Sequence, residues 1–458
     1  MKDLTVGSIP GHIVTMAIPI MTGMLLQTLY YMLDLYFVSR LGDTAVAGVS
    51  GAANAMFIVF ALVQMLSAGS VALISQAVGG KDQERANLIF NQSFVLSALC
   101  GLTVLLVGYA CTATYMREIS ADLRTAQAGT TYFYWFLPGL ALQFAMFGMA
   151  SGLRGTGIVR PAMVVQAITV VLNIVLAPVL IRGWGTNIPL GVAGAGLATS
   201  IAVAAGVLLL HLYFAKTDRY VSLRVRQWAP RLDIWANILR IGLPVGGEFL
   251  LMFVYAAVTF WAIRGFGAHA QAGFGIGYRV MQAIFFPAMA IALSIAAIIG
   301  QNYGARKLDR VRAAFRAALL ITGAVMAVLT VVCSVWPERL VEPFTGDTSA
   351  IAVGAAFLQV VAWKFMGSGI VYTCSSTFQG LGNTVPPLLS SASRVVTFVA
   401  PAIWLQDQPW FELRYLWYLY VAGILLQALL NLSLLRREFR LRFALPKHAV
   451  HFEPGRIE

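Results

Sequence analysis

IVTMAIPIMTGMLLQTLYYMLDLYFV, residues 13–38, contains one charged side chain, Asp34. ILRIGLPVGGEFLLMFVYAAVTFWAI, residues 238–263, contains two, Arg240 and Glu248. A helix crosses a bilayer core in roughly 20 residues at about 1.5 Å each, so either stretch can span a membrane. Both are too long for core strands, and their apolar character is continuous rather than alternating. Lipid gives the backbone no hydrogen-bond partner, so such segments are helices and not open strands. Ala162–Ile181 and Ala313–Val335 read the same way. Composition agrees. Soluble domains are about 25% charged. This chain of 458 residues is 11% charged and 59% hydrophobic, too few charges to clothe a globular surface in water.

Outward from these stretches, twelve spans follow, at about 13–38, 47–77, 88–113, 129–151, 162–182, 192–214, 238–264, 270–300, 313–336, 350–378, 386–405 and 414–435. Charged or turn-forming breaks separate them, such as GGKDQERAN (79–87), RGTGIVRP (154–161), PERLVEPFTGD (337–347) and QGLGNTVPP (379–387). Twenty of the 32 Lys and Arg lie in the amino terminus, the loops after even-numbered spans and the carboxy tail, against seven in the other loops. By the positive-inside rule both termini are cytoplasmic. The net charge of +13 therefore belongs to membrane topology, and no nucleic-acid partner is expected. The four cysteines lie in apolar runs without metal-ligand spacing and read as packing residues. The first residues carry no cleavage site of a removable signal.

The quoted stretches are also copies. Pro19, Gly42, Ala45, Ala47 and Gly48 meet Pro244, Gly267, Ala270, Ala272 and Gly273 at a constant offset of 225 residues. Gln76, Gly79, Lys81 and Arg85 meet Gln301, Gly304, Arg306 and Arg310 in the same register. Gly155, Gly157 and Pro161 meet Gly380, Gly382 and Pro386. Three separated blocks in one register indicate a duplicated six-helix unit. An even number of helices gives both copies the same topology, so the lobes are parallel about an axis along the membrane normal. The fold class is all-α integral membrane, with lobes at 1–214 and 238–435, a cytoplasmic linker at 215–237 and a basic tail at 436–458. Two facing lobes enclose a cleft that rocking can open to either side, which points to a carrier.

The duplicated lobes, the segment LDLYFVSRLGDTAVAGVS (33–50) and the paired loops QAVGGKD (76–82) and GQNYGARK (300–307) resemble the multidrug and toxic compound extrusion (MATE) family over nearly the whole chain. The resemblance implies export of small organic compounds in exchange for inward Na⁺ or H⁺, without cofactor or ATP. No GxxxxGK[ST] loop is present. GVAGAG (191–196) and GFGIG (273–277) lie in or beside spans and read as close helix packing.

Ionisable residues inside spans are costly and are functional candidates. Asp34 sits six residues before Arg40, roughly 9 Å into the first span. The resemblance identifies it with the acidic residue of the family's first helix, which takes part in cation coupling, and Pro19 with a bending point. It also places Asn173 and Thr199 near that acid, as ion-coupling positions or as interhelical hydrogen-bonding groups. DinF-like relatives carry a second Asp where this chain has Ala177, which puts a DinF-type ion site in doubt. Beyond a possible Na⁺ at Asp34, no metal site is expected.

Glu248, ten residues into the seventh span, lies roughly 15 Å deep. NorM-like relatives place a glutamate in this helix about one turn further on. Ion coupling and a structural ion pair both fit. Lys364, Arg279 and Arg394 share its lobe, and pairing of Glu248 with at least one is expected, because an uncompensated buried charge is costly. Lys364, Arg279 and Tyr31 are substrate-cleft candidates. Tyr31 and the aromatics Tyr30, Tyr132, Tyr134 and Trp135 could line an apolar cleft, but aromatics near span ends are more often interface anchors. Three cations against one acid suit a neutral, zwitterionic or anionic substrate. The expected protein is a monomeric exporter in the bacterial inner membrane, in contact with lipid and small-molecule substrate. The alternative is a flippase for lipids or lipid-linked saccharides from a related carrier family. A membrane enzyme lacks clustered catalytic groups here.

Overall fold

The computed structural model describes residues 2–185, 187–216 and 220–443. Tail residues 444–458 and linker residues 217–219 lie outside them. The first lobe holds α1 (Ile9–Ser39), α2 (Asp43–Gly79), α3 (Gln83–Ile119), α4 (Leu123–Gly155), α5 (Arg160–Arg182) and α6 (Val192–Lys216). The second holds α7 (Leu232–Ile263), α8 (Ala268–Ile284), α9 (Phe286–Gly304), α10 (Leu308–Val335), the short α11 (Pro337–Val341), α12 (Thr348–Val361), α13 (Lys364–Leu381), α14 (Val385–Gln406) and α15 (Leu413–Phe443). Among the described residues, eleven helices are long and apolar enough to cross a membrane, and α12 with α13, bent by 58° at their break, count as a twelfth span when taken together. The eighth span of the sequence reading is divided at Phe285 between α8 and α9.

Local chemistry sets the helix ends. Asp82, Asp122 and Asp347 accept from Arg85 N (2.9 Å), Thr125 N (2.8 Å) and Ser349 N (2.9 Å), each satisfying an orphan donor at a helix start. Prolines open α5, α9 and α14, where the missing N–H costs nothing. Helices outrun their apolar stretches, because hydropathy marks the lipid-matched part while backbone hydrogen bonding continues beyond it. α7 begins at Leu232, ahead of Ile238, and α15 runs past Leu435 to Phe443. At that end Arg442 Nε lies 2.6 Å from Glu438 Oε1, one turn away.

The duplication is visible in the backbone. Lys81 and Arg306 occupy the left-handed region at φ 59° and 58°, an uncommon conformation for non-glycine residues. They sit at equivalent places in the loops after the second and eighth spans. The lobes interlock, with each first helix packed on the other lobe's second span: α1 on α9, and α7 on α2. Hydrogen bonds between lobes gather at the end of the bundle that carries the amino terminus. Gln76 Nε2 donates to Gly380 O (2.9 Å), Gln301 Nε2 to Gly155 O (3.1 Å) and Gln379 Nε2 to Ala68 O (3.3 Å).

The segments leading into each lobe are held by the opposite lobe. Leu4 N donates to Gln301 Oε1 (3.0 Å), and Lys307 Nζ donates to Thr5 O (2.9 Å). The stretch 220–231 lies along the start of α3. Ser222 N, Arg224 N and Arg231 N donate to Asn87 Oδ1 (2.6 Å), Asn91 Oδ1 (2.8 Å) and Gln92 Oε1 (2.9 Å). Three buried amides on one helix face thus replace the backbone partners that irregular chain lacks.

Candidate functional site

Among the buried polar clusters of the described residues, two hold candidate site residues, one in each lobe. The first begins with two residues one turn apart on α1, Tyr30 and Asp34, which share a helix face. Asp34 is buried with 6% exposure. Tyr132 on α4 donates its hydroxyl to Asp34 Oδ2 at 3.3 Å. Tyr30 donates to Thr199 Oγ1 on α6 at 2.5 Å, and Asn173 Nδ2 on α5 donates to the same oxygen at 3.4 Å. Thr199 in turn donates to Ala195 O at 3.3 Å. Asn173 and Thr199 are thus brought together, and Asp34 is related to them only through Tyr30 on its own helix face; among the described residues it makes no hydrogen bond to either. Ala177, one turn beyond Asn173, is fully buried and adds no oxygen.

Two properties of this cluster matter. Among the described residues, Asp34 makes no ion pair, and its Oδ1 is buried without a hydrogen-bond partner. A buried carboxylate in that setting calls for a cation or a proton. Thr199 Oγ1, by contrast, is saturated, since a hydroxyl offers one donor and two acceptor sites. Tyr30 and Tyr132 enter the cluster through their hydroxyls. Their aromatic character in the sequence pointed to a cleft wall or an anchor, and nothing along the chain signalled where the hydroxyls lead. The Tyr31 side chain lies outside the described residues.

The second cluster lies in the other lobe. Ser375 Oγ on α13 donates to Glu248 Oε2 at 3.5 Å. The expected ion pair is not formed: among the described residues no cation pairs with Glu248. A break between α12 and α13 interrupts the span that carries Lys364. Lys364 is the first residue after it, 5% exposed, and its Nζ sits 4.0 Å from the centre of the Tyr420 ring and 5.4 Å from that of Phe285. Arg394 on α14 lies over Tyr255, with Cζ 4.8 Å from the ring centre. Both cations rest on aromatic faces, which attract them through the ring quadrupole. The rings of Tyr255 and Tyr420 are themselves in contact, 4.8 Å between centres. Arg394 remains close enough to act electrostatically on both Glu248 and Lys364. Arg279 is exposed. The buried face of α8 carries Gly273, Phe274, Gly277 and Met281, so residue 279 points elsewhere.

Pro19 and Pro244 lie within α1 and α7 at equivalent positions. A proline inside a helix removes one backbone hydrogen bond and creates a place to bend.

Comparison with known proteins fits this architecture. The MatE family profile matches the chain twice, over residues 19–179 and 244–404, two units in the register of the internal repeat. The chain is 26% identical to the multidrug export protein MepA of Staphylococcus aureus (strain N315), over 92% of each chain. It is similar to a MATE transporter solved in a straight conformation, with 25% identity, a TM-score of 0.89, and coverage of 97% of this chain and 99% of that one. The bent conformation of a MATE transporter matches with 24% identity and a TM-score of 0.90, over 96% and 98% of the two chains. Matched by the MatE family over both of its repeated units, the chain is a membrane transporter and belongs to that family.

Proposed function

We propose that this protein is a secondary antiporter that exports small organic compounds across the bacterial inner membrane in exchange for inward H⁺. The observation that carries the reading is Asp34, a buried carboxylate with one unpartnered oxygen and no counter-cation among the described residues. A proton needs only that one oxygen. A Na⁺ ion needs several oxygen ligands, and the nearby Thr199 hydroxyl is already saturated. Proton coupling is therefore favoured over Na⁺. The relationship to a multidrug export protein supports export of organic compounds.

In this reading the lobe-joined, Lys/Arg-rich end is cytoplasmic, together with both termini and the 215–237 linker, and the molecule faces outward. Protonation of Asp34 then alters how α1 docks through Tyr30 and Tyr132, with Pro19 as the bending point. An ion can shift the balance between two states only by binding them differently. Asp34 meets that condition if its partners change as α1 bends. Glu248 is assigned to the second lobe's interior rather than to this ion site. The carrier works as a monomer of two lobes, residues 1–214 and 238–435.

Export from proteoliposomes under separately imposed H⁺ and Na⁺ gradients tests the proposal. Wild-type export driven by H⁺, and lost in Asp34→Asn while folded protein remains in the membrane, is the expected result. Export driven by Na⁺ alone refutes proton coupling, and unimpaired export by Asp34→Asn refutes the role of Asp34.

A further inference from the structure

An open groove of about 450 Å³ lies between the linker and the start of α3, walled by Asp82, Glu84, Arg85, Leu88, Arg226 and Arg231. That is well beyond the roughly 30 Å³ of one water, so a polar group of several heavy atoms has room there. Three guanidinium groups and two carboxylates face the same space. Among the described residues, Arg85, Arg226 and Arg231 make no ion pair. Glu84 is exposed and only 3.9 Å from Arg224, a loose contact in water.

The groove lies where the third span leaves the membrane. On α3, residues 88, 92, 95, 99, 102 and 106 share one face, at alternating steps of four and three. Leu99, Leu102 and Leu106 are exposed there, an apolar stripe that faces lipid. At Gln92 the linker covers this face, with Gln92 Nε2 donating to Gln227 O (2.6 Å) and Ala229 O (2.8 Å). Leu88, one turn further on, lines the groove. The linker has the chemistry of a membrane boundary. Val225 and Leu232 are exposed beside Arg224, Arg226 and Arg231, and the partly exposed Trp228 donates its indole N–H to Asn91 Oδ1 at 3.1 Å. Indole rings, apolar side chains and arginines side by side mark the level of lipid headgroups.

We infer that this groove holds the headgroup of a phospholipid with a primary ammonium, phosphatidylethanolamine: Arg226 and Arg231, with Arg85, receive the phosphate, and Glu84 and Asp82 receive the ammonium. The planar guanidinium fork matches phosphate oxygens in pairs. A lining of cations alone would fit an anionic lipid. Here an anionic headgroup leaves both carboxylates without a partner, and a choline headgroup offers them no N–H. The lipid-facing stripe that leads to the groove favours a bilayer lipid over a free phosphate ester. Lipid held there fastens the linker, and with it the start of α7, to the membrane surface. The inference concerns neither the transported compound nor the coupling ion.

Native mass spectrometry of the detergent-purified full-length protein tests this. The probes are dioleoyl phosphatidylethanolamine, dioleoyl phosphatidylcholine, dioleoyl phosphatidylglycerol and the chainless headgroup glycerophosphoethanolamine. Wild type is expected to bind phosphatidylethanolamine at least about tenfold more tightly than each of the other three. The double variant Arg226→Gln with Arg231→Gln weakens that binding by about tenfold or more, the scale of one lost charge-assisted hydrogen bond. Both positions are exposed, and Lys at both retains most of the affinity, which separates loss of charge from a change in the linker. Glu84→Gln weakens phosphatidylethanolamine and does not weaken phosphatidylglycerol. Equal or tighter binding of phosphatidylglycerol or phosphatidylcholine by wild type overturns the inference, as does undiminished phosphatidylethanolamine binding in the double Gln variant. Equal binding of glycerophosphoethanolamine overturns the assignment to a bilayer lipid. Asp34→Asn keeps the same lipid preference, so failure of the coupling proposal registers in transport and leaves this result standing.

Discussion

Gln76 and Gln301 hold equivalent positions in the two lobes, and each carries its side-chain amide across the boundary to the backbone of the other, Gln76 to Gly380 and Gln301 to Gly155. The receiving glycines are themselves a repeat pair. Gly79 and Gly304, three residues further on, complete the symmetry. A Cβ on Gly79 collides with the Gln301 carbonyl, and one on Gly304 collides with that of Gln76. The lobes thus meet backbone to backbone at a point where only hydrogen is small enough.

Gly304→Val should therefore force the lobes apart at this end, because overpacking a backbone contact costs about 1–3 kcal/mol. In a background with the four native cysteines replaced by Ser, Ala72→Cys reports on the opening. Ala72 is fully buried beside this contact. Labelling by a membrane-impermeant maleimide added on the side of this lobe-joined end is expected to rise severalfold with Gly304→Val. Unchanged labelling would show that the contact does not hold this end shut.

Thr199→Val keeps the volume and removes the oxygen that Tyr30 and Asn173 share. Two donors inside the lobe then lose a common acceptor, at a cost of about 1–3 kcal/mol. A lower unfolding temperature in detergent and about tenfold slower export are expected. Export at the wild-type rate would dismiss the network as structural glue only.

Asn91→Ala removes an amide that holds Arg224 N, Ser222 O and the Trp228 indole. The stretch 220–231 should then detach while α3 stays in place. Limited trypsinolysis reads this directly, with faster cleavage at Arg224, Arg226 and Arg231. A wild-type cleavage pattern would mean that Asn87 and Gln92 suffice.

Asp347 lies outside the spans, caps α12 and meets His269 Nδ1 at 2.5 Å. The hydrogen bond from His269, followed by those from the Ser349 and Ala350 backbone, holds its carboxyl below the ordinary range. A depressed folded-state pKa means stabilisation that is present above the unfolded value of about 3.9 and lost as pH falls through the folded one. The melting-temperature gap between wild type and Asp347→Asn should be small at neutral pH, because the site is exposed, and should close below about pH 4. A gap that persists well below pH 4 contradicts this assignment.

Much of the molecule was legible along the chain. Span number, helical class and duplication depend on hydropathy and on residue spacing, which are one-dimensional properties. Asp34 stood out for the same reason: a single acid inside an apolar run is visible without knowing its neighbours. Glu248 and Lys364 were visible too, yet their relation was not. Lys364 follows a mid-span break and rests on Tyr420, and no cation pairs with Glu248 among the described residues. Arg279 shared an apolar run with its neighbours but faces away from the lobe interior, since helix rotation sets which side is buried. Likewise a polar linker at 215–237 reads as spacer until three amides of α3 are seen to hold its stretch 220–231. Sequence alone determined what lies in the membrane and that it lies there twice. Tertiary structure decided which buried groups meet, because contacts between helices depend on rotation and bending, and neither leaves a period in the chain.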